Sequence, residues 1–217
     1  MQKINHLTNL YISKLRTLDW LGPLALRLYL APVFIGVGAH KFANFEDMVA
    51  WFGNPDWGLG LPLPTLMEVL AASAELFGGL ALLLGLATRL IVLPLMITML
   101  VAAGTTHWQN GWFAIAPSDP STSTASVLAA IGIPAAQRSL ENSQAVGQRL
   151  GAAKRVLKQH GNYSWLTEKG NFVVLNNGIE FAVTYFVMLL SLLFTGAGRW
   201  TSADYWIARY AGRSSTA

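Results

Sequence analysis

An arginine lies inside the first long apolar stretch of the chain, LGPLALRLYLAPVFIGVGAHK at residues 21–41. About 20 mostly apolar residues are enough for a helix to cross the hydrocarbon core of a bilayer. Arg27 therefore falls within a predicted membrane span, where an ionised side chain costs roughly 2.5 to 3.5 kcal/mol on insertion scales. Such a group needs a partner or a wet cavity, so the rest of the sequence has to supply one.

Four apolar segments predict an all-α membrane protein, built as a bundle of four transmembrane helices in one domain. The predicted spans are residues 21–38, 66–86, 90–106 and 178–197. Only 12% of the 217 residues are charged, whereas soluble domains carry about 25%. The short turn GLATR between the second and third spans predicts an antiparallel hairpin.

The link at residues 107–175 is predicted to be a long extramembrane loop, inserted between the third and fourth spans. Within it Val146, Leu150, Ala153 and Leu157 recur at helical spacing with basic residues between them. This pattern predicts an amphipathic helix that lies on the membrane surface. The excess of Lys and Arg in this loop favours contact with lipid headgroups and predicts no nucleic-acid partner.

Positive charges near the span ends predict that both termini lie in the cytoplasm. The N-terminal tail, the turn after the second span and the C-terminal tail fall on one side of a four-span arrangement. They carry Lys3, Lys14, Arg16, Arg89, Arg199, Arg209 and Arg213. Lys41 stands alone in the first loop on the opposite side. Cytoplasmic loops of membrane proteins are enriched in Lys and Arg.

Glu75 is the predicted counter-charge for Arg27. With a rise of about 1.5 Å per residue, Arg27 lies about 16 Å and Glu75 about 13 Å below the outer ends of their spans. The pair is either a structural ion pair or part of a polar pocket for a ligand or a proton path. Glu180 is a third candidate for this pocket. Glu180 and Glu68 also fit capping boxes, with Asn177 and Thr65 respectively.

Four residues near the outer ends of the spans are further candidates: His40, Lys41, His107 and Trp108. Imidazole groups near Met48 and Met67 could bind a soft metal such as copper. However, none of these ligands stand at a metal-binding spacing, so simple solvation of His40 and His107 is the competing interpretation. The chain has no cysteine. Any electrons must therefore be carried by a bound cofactor or by a partner.

Several stretches together resemble the DoxX family of bacterial inner-membrane proteins. They are LRLYLAPVFIGVGAHKF, LPLPTLMEVLAASAELFGGLALLLGLATRL and NNGIEFAVTYFVMLLSLLFTGAGRWTSADYW. The resemblance implies a four-helix bundle in the bacterial inner membrane. It marks Arg27, Lys41, Glu75, Glu180 and Asp204 as positions of interest. Members of the family have been associated with quinol oxidation and with thiosulfate:quinone oxidoreductase complexes.

The long loop resembles that of a DoxX subgroup encoded beside copper-binding modified peptides. Two hypotheses of function follow. In the first, the chain is an accessory membrane protein associated with redox chemistry or quinone, dependent on a protein partner, and it could be a subunit of a quinone-linked oxidoreductase. In the second, it is a non-enzymatic factor for copper homeostasis or for maturation of a copper-binding peptide. Quinone is the favoured cofactor, and copper is the second. The predicted partners are the lipid bilayer and a protein, which could be a second copy of the chain.

Overall fold

The computed structural model describes residues 16–212, which are mainly helical. The helices are α1 (Leu21–Ala43), α2 (Phe45–Gly53), α3 (Pro64–Leu84), α4 (Thr88–Val101), α5 (Ala125–Ala130), α6 (Pro134–His160), α7 (Tyr163–Leu166), α8 (Glu180–Thr195) and α9 (Ala203–Tyr210). A π-helical turn at Ala102–His107 and a 3-10 turn at Trp108–Asn110 continue α4. Among the described residues, β-pairing is limited to one isolated antiparallel bridge between Ile115 and Leu175.

Three helical segments in the described part of the chain are long and apolar enough to cross a membrane. They are Leu21–Ala43, Pro64–Leu84 and Thr88–Asn110. The prediction of an all-helical membrane protein is thereby confirmed, together with its first three spans. The fourth predicted span corresponds to α8, which is apolar but has only 16 residues. Its crossing of the bilayer therefore stays a prediction.

The chain divides into two compact units. The first comprises the described residues up to Ala102 together with those from Ala182 onward, and the second is Ala103–Phe181. The buried core of the first unit takes side chains from α1, α3, α4 and α8. They are Leu30, Ala31, Phe34, Leu82, Val92, Leu95, Leu189 and Leu192. Other large apolar side chains of the same helices point outward, such as Phe77 and Leu90. A bilayer accommodates such surfaces because lipid tails are as apolar as leucine.

Two glycines allow α1 and α3 to pack closely. A Cβ atom on Gly38 would clash with the backbone nitrogen of Leu76. A Cβ atom on Gly79 would lie 2.8 Å from the backbone nitrogen of Ile35. Small residues commonly permit such close approach between membrane helices. Here the approach brings the C-terminal turn of α1, which carries Lys41, against the middle of α3.

The predicted hairpin of the second and third spans is confirmed. Helix α3 ends at Leu84, the next residue Gly85 adopts a left-handed φ of 65°, and α4 begins at Thr88. Glycine at this position avoids the steric cost that a Cβ atom would bring. The turn is stabilised further by side chains from distant parts of the first unit, described below.

The second unit contains the long helix α6, so a helix in the predicted loop is confirmed. Gly147 lies within α6, where a Cβ atom would clash with the carbonyl oxygen of Ser118. This glycine thus has a packing role that outweighs its poor helix propensity. Val146 is buried, whereas Leu150 and Leu157 are half-exposed and Ala153 is exposed. Whether α6 lies on a membrane surface stays a prediction.

Candidate functional site

Arg27 does not pair with Glu75, contrary to the sequence-based prediction. The guanidinium group is buried and donates to backbone carbonyl oxygens only among its described hydrogen bonds. Its Nε donates to Leu82 O at 2.7 Å, and its Nη2 donates to Leu83 O at 2.9 Å. Its Nη1 donates to Ala197 O at 2.8 Å, and both terminal nitrogens lie 3.4 Å from Thr201 O.

These acceptors explain how the membrane span accommodates Arg27. The last four carbonyl groups of a helix have no partner within that helix, and they carry the negative end of the helix dipole. Leu82 and Leu83 belong to the last turn of α3, while Ala197 follows the end of α8. Arg27 therefore caps the ends of two chain segments at once. The ligand-pocket interpretation of this residue stays a prediction.

Asp204 performs the complementary role at the start of α4. Its Oδ1 accepts a hydrogen bond from the amide of Ala87 at 2.6 Å, and its Oδ2 accepts from Thr88 at 2.9 Å. The first amides of a helix lack internal partners and favour a negative charge. Asp204 thus fixes the turn between α3 and α4 opposite the carbonyl groups that bind Arg27.

Glu75 instead forms an ion pair with Lys41. The Nζ atom of Lys41 donates a hydrogen bond to Oε1 of Glu75 at 2.8 Å, and it lies 2.7 Å from Oε2, a contact that is ionic without hydrogen-bond geometry. The Lys41 side chain retains 16% of its exposure, whereas that of Glu75 retains only 4%. Lys41 is therefore the more accessible end of this pair.

Glu68 completes the site, and sequence reasoning missed its role. Glu68 is fully buried, and neither of its carboxylate oxygens has a hydrogen-bond partner. The charges that act on it are those of Lys41 and Glu75. The predicted capping box with Thr65 is wrong, because α3 begins at Pro64 after Leu63 and has no side-chain cap. We call Lys41, Glu68 and Glu75 the carboxylate–lysine cluster.

The sequence separation of Glu68 and Glu75 could have indicated this cluster. Glu68 and Glu75 are seven residues apart, which is about two turns of helix, so both project from the same face of α3. Helix α2 supplies a neighbouring aromatic ring, since Lys41 Nζ lies 5.9 Å from the ring centre of Phe52. Phe52 itself is buried. The ammonium group is therefore held between a carboxylate and an aromatic face.

Glu180, the third predicted pocket residue, lies at the start of a helix. Helix α8 begins at Glu180, and the Oε2 atom of this residue accepts a hydrogen bond from the amide of Ala114 at 2.9 Å. The prediction that it lies at a helix start is confirmed. Asn177, however, lies outside the helix with a left-handed φ of 56°, so it is not the capping residue of the predicted box. Glu180 instead ties the start of α8 to the segment around Ala114.

The remaining candidates have local partners. His40 is exposed, with its Nδ1 3.2 Å from the side-chain nitrogen of Asn44. His107 Nδ1 lies 2.8 Å from the carbonyl oxygen of Asn177, and Trp108 is exposed. Within residues 16–212, no group of three or more His, Asp or Glu side chains is arranged to hold a metal ion.

Comparisons with known proteins agree with the resemblance drawn from sequence. The DoxX family model matches residues 22–108, which include Arg27, Lys41, Glu68 and Glu75. A Bacillus subtilis (strain 168) protein named "Putative oxidoreductase CatD" is 32% identical over 82 residues. The match covers 38% of this chain and 57% of that protein. No solved structure matches. The predicted DoxX resemblance is therefore confirmed over residues 22–108, the part of the chain that contains the carboxylate–lysine cluster.

Proposed function

We propose that this chain is an accessory subunit of a quinone-linked redox complex in the bacterial inner membrane, and that a partner protein carries the electrons. In this proposal α8 forms the fourth span and both termini lie in the cytoplasm. The observation that carries it is the carboxylate–lysine cluster, which combines an accessible ammonium group with two buried carboxylates. The name of the Bacillus subtilis relative, an oxidoreductase, points to the same class of chemistry.

The cluster has the groups that a quinone site requires. A quinone offers carbonyl oxygens, which accept hydrogen bonds from a cation, and its conversion to quinol takes up protons together with electrons. Lys41 is a strong donor that keeps some exposure, and Glu75 fixes its position through two contacts. Hydrogen bonds in which the donor is charged are roughly twice as strong as neutral ones.

A binding measurement tests this function. We expect the full-length chain, purified in mild detergent from a bacterial membrane, to retain a stoichiometric quinone that mass spectrometry of the organic extract identifies. The Lys41→Met/Glu75→Met variant removes both charges together and should lose the quinone while it keeps its fold. Lys169→Met is the matched control, because Lys169 is 91% exposed and pairs only with its neighbour Glu168 among its described ion pairs.

The same preparation distinguishes the alternative function. Elemental analysis that found copper without quinone would contradict the proposal and favour copper handling. Quinone retained equally by the wild type and by the Lys41→Met/Glu75→Met variant would place any quinone site elsewhere. Either result would show that the carboxylate–lysine cluster does not bind a quinone.

A further inference from the structure

Glu68 is an unusual residue even within the cluster. It is fully buried in the first unit, yet both of its oxygens lack hydrogen-bond partners. Burial of a polar group without a hydrogen bond costs free energy, and burial of an unpaired charge costs far more. The ammonium group of Lys41 already donates to Oε1 of Glu75 at 2.8 Å and lies 2.7 Å from Oε2. A purely structural ion pair between Lys41 and Glu75 would not need this second carboxylate.

The carboxylate–lysine cluster lacks a positive charge to balance its second carboxylate. One ammonium group and two ionised carboxylates would leave one negative charge uncompensated inside the protein. The charges that act on Glu68 come from Lys41 of α1 and Glu75 of α3. The acidic residues of the adjacent α2, Glu46 and Asp47, are exposed to the surroundings and would add only negative charge. A single bound proton restores neutrality without any other group.

We propose that Glu68 stores one exchangeable proton for the Lys41–Glu75 pair. The cluster then works as a short relay, with Lys41 at its accessible end and Glu68 at its buried end. The relay depends on the quinone-linked function proposed above. The storage of a proton by Glu68 does not depend on that function.

The relay balances in protons and charge. When a quinone has taken up two electrons from the partner protein and one proton from water, Lys41 gives the second proton to the remaining anionic oxygen, and an N–H bond breaks as an O–H bond forms. Glu68 then gives its proton to the lysine amine through Glu75. The ammonium group is restored and Glu68 becomes a carboxylate. The negative charge thus moves from the ligand to Glu68, which regains a proton from water.

Infrared spectroscopy of the full-length chain in lipid nanodiscs tests the storage directly. A protonated carboxylic acid has a C=O stretch that is separate from the carboxylate bands, and it shifts when exchangeable hydrogen is replaced by deuterium. We expect this band in the wild type and its loss in Glu68→Gln. Glu46→Gln, which changes an exposed residue of α2, is the matched control and should keep the band.

Two further variants keep the test decisive. Lys41→Met removes the counter-charge of Glu75, so the acid band should gain intensity as a second carboxyl group takes up a proton. If Glu68→Gln does not fold, Glu68→Asp retains the acid and should move the band to a new frequency. A wild type without the band, or a band unchanged in both Glu68 variants, would overturn the proposal.

The results also separate proton storage from quinone binding. The Glu68 band without a retained quinone would leave the storage standing and remove the quinone-linked function. A retained quinone without the Glu68 band would support the quinone-linked function and remove the proton storage. For the relay itself, addition of menadiol, a naphthoquinol probe, should perturb the band in the wild type. An unperturbed band would restrict Glu68 to storage and overturn the relay.

Discussion

At the scale of single residues, a buried arginine and a partly exposed lysine are stabilised in different ways. Arg27 is bound by backbone carbonyl oxygens, whereas Lys41 is bound by a carboxylate. The planar guanidinium group presents several donors in fixed directions, so it can reach carbonyl groups of two chain segments. The ammonium group of lysine is a compact charge, and a single carboxylate suffices for it.

Arg27 should therefore be critical for stability but independent of Glu75. In Arg27→Met, Leu83 O in α3 and Ala197 O beyond α8 lose the donor that Arg27 supplies, and each buried unsatisfied polar group costs about 1 to 3 kcal/mol. We expect a large loss of thermal stability in detergent. Arg89→Met is the control, because Arg89 is exposed and donates one described hydrogen bond to Phe194. Equal losses in the two variants would contradict the capping role.

Lys41 and Glu75 should show strong thermodynamic coupling. Removal of one partner from a buried ion pair costs about 3 to 5 kcal/mol, because the other charge is left uncompensated. Lys41→Met alone should thus be destabilised, and Lys41→Met/Glu75→Met should recover most of the loss. A double-mutant cycle of thermal unfolding measures the coupling. Additive effects of the two single changes would show that the pair contributes nothing as a unit.

At the scale of helices, the turn between α3 and α4 depends on the absence of a side chain. A Cβ atom on Gly85 would lie 2.6 Å from Arg27 Cζ and 2.6 Å from Ser202 Cβ. The left-handed φ of 65° adds backbone strain for any residue with a Cβ atom. The end of α3, the guanidinium group of Arg27 and Ser202 of the C-terminal segment are thus packed tightly together at Gly85.

Gly85→Ala should consequently destabilise the protein by more than the roughly 1 kcal/mol expected for a left-handed alanine alone. Gly36→Ala provides the opposite case, since nothing lies within 4 Å of a Cβ atom at that position of α1. Alanine is favoured over glycine in a helix by about 1 kcal/mol, so this variant should be unchanged or more stable. The melting temperatures of the two variants test this expectation. A Gly85→Ala variant that is more stable than Gly36→Ala would refute the crowding at Gly85.

The helices could be predicted well from sequence, but the pairing of charged residues could not. Apolar length located the three long spans, and the short GLATR turn indicated their hairpin. The Arg27–Glu75 prediction assumed that a buried cation needs an anion. It overlooked the free carbonyl groups at helix ends, which sequence spacing does not reveal. Glu68 was misassigned because a threonine three residues earlier imitates a cap, although the helix had already begun at Pro64.

At the scale of the whole molecule, the number of membrane crossings is the main prediction to test. Four helices contribute to the buried core of the first unit, although α8 has only 16 residues. A helix shorter than the bilayer thickness can be accommodated by local thinning or by flanking residues that reach the interface. The core contribution of Leu189 and Leu192 supports α8 as the fourth span.

The natural absence of cysteine makes this topology measurable without a modified background. We expect single cysteines at Asp56 and at Glu141 to react with a membrane-impermeant maleimide from the periplasmic side of intact cells. Cysteines at Gln2 and Ser214 should react only after the membrane is opened. Labelling of position 214 in intact cells, with position 2 protected, would indicate three crossings instead of four.

The cap on Arg27 also bears on how the chain is made. The arginine and its acceptor Ala197 are separated by 170 positions, so a ribosome completes most of the protein before that acceptor exists. Until then α1 enters the bilayer with an incompletely compensated charge, and only its acceptors in α3 become available early. The set of acceptors around Arg27 is therefore complete only after the C-terminal segment has been synthesised.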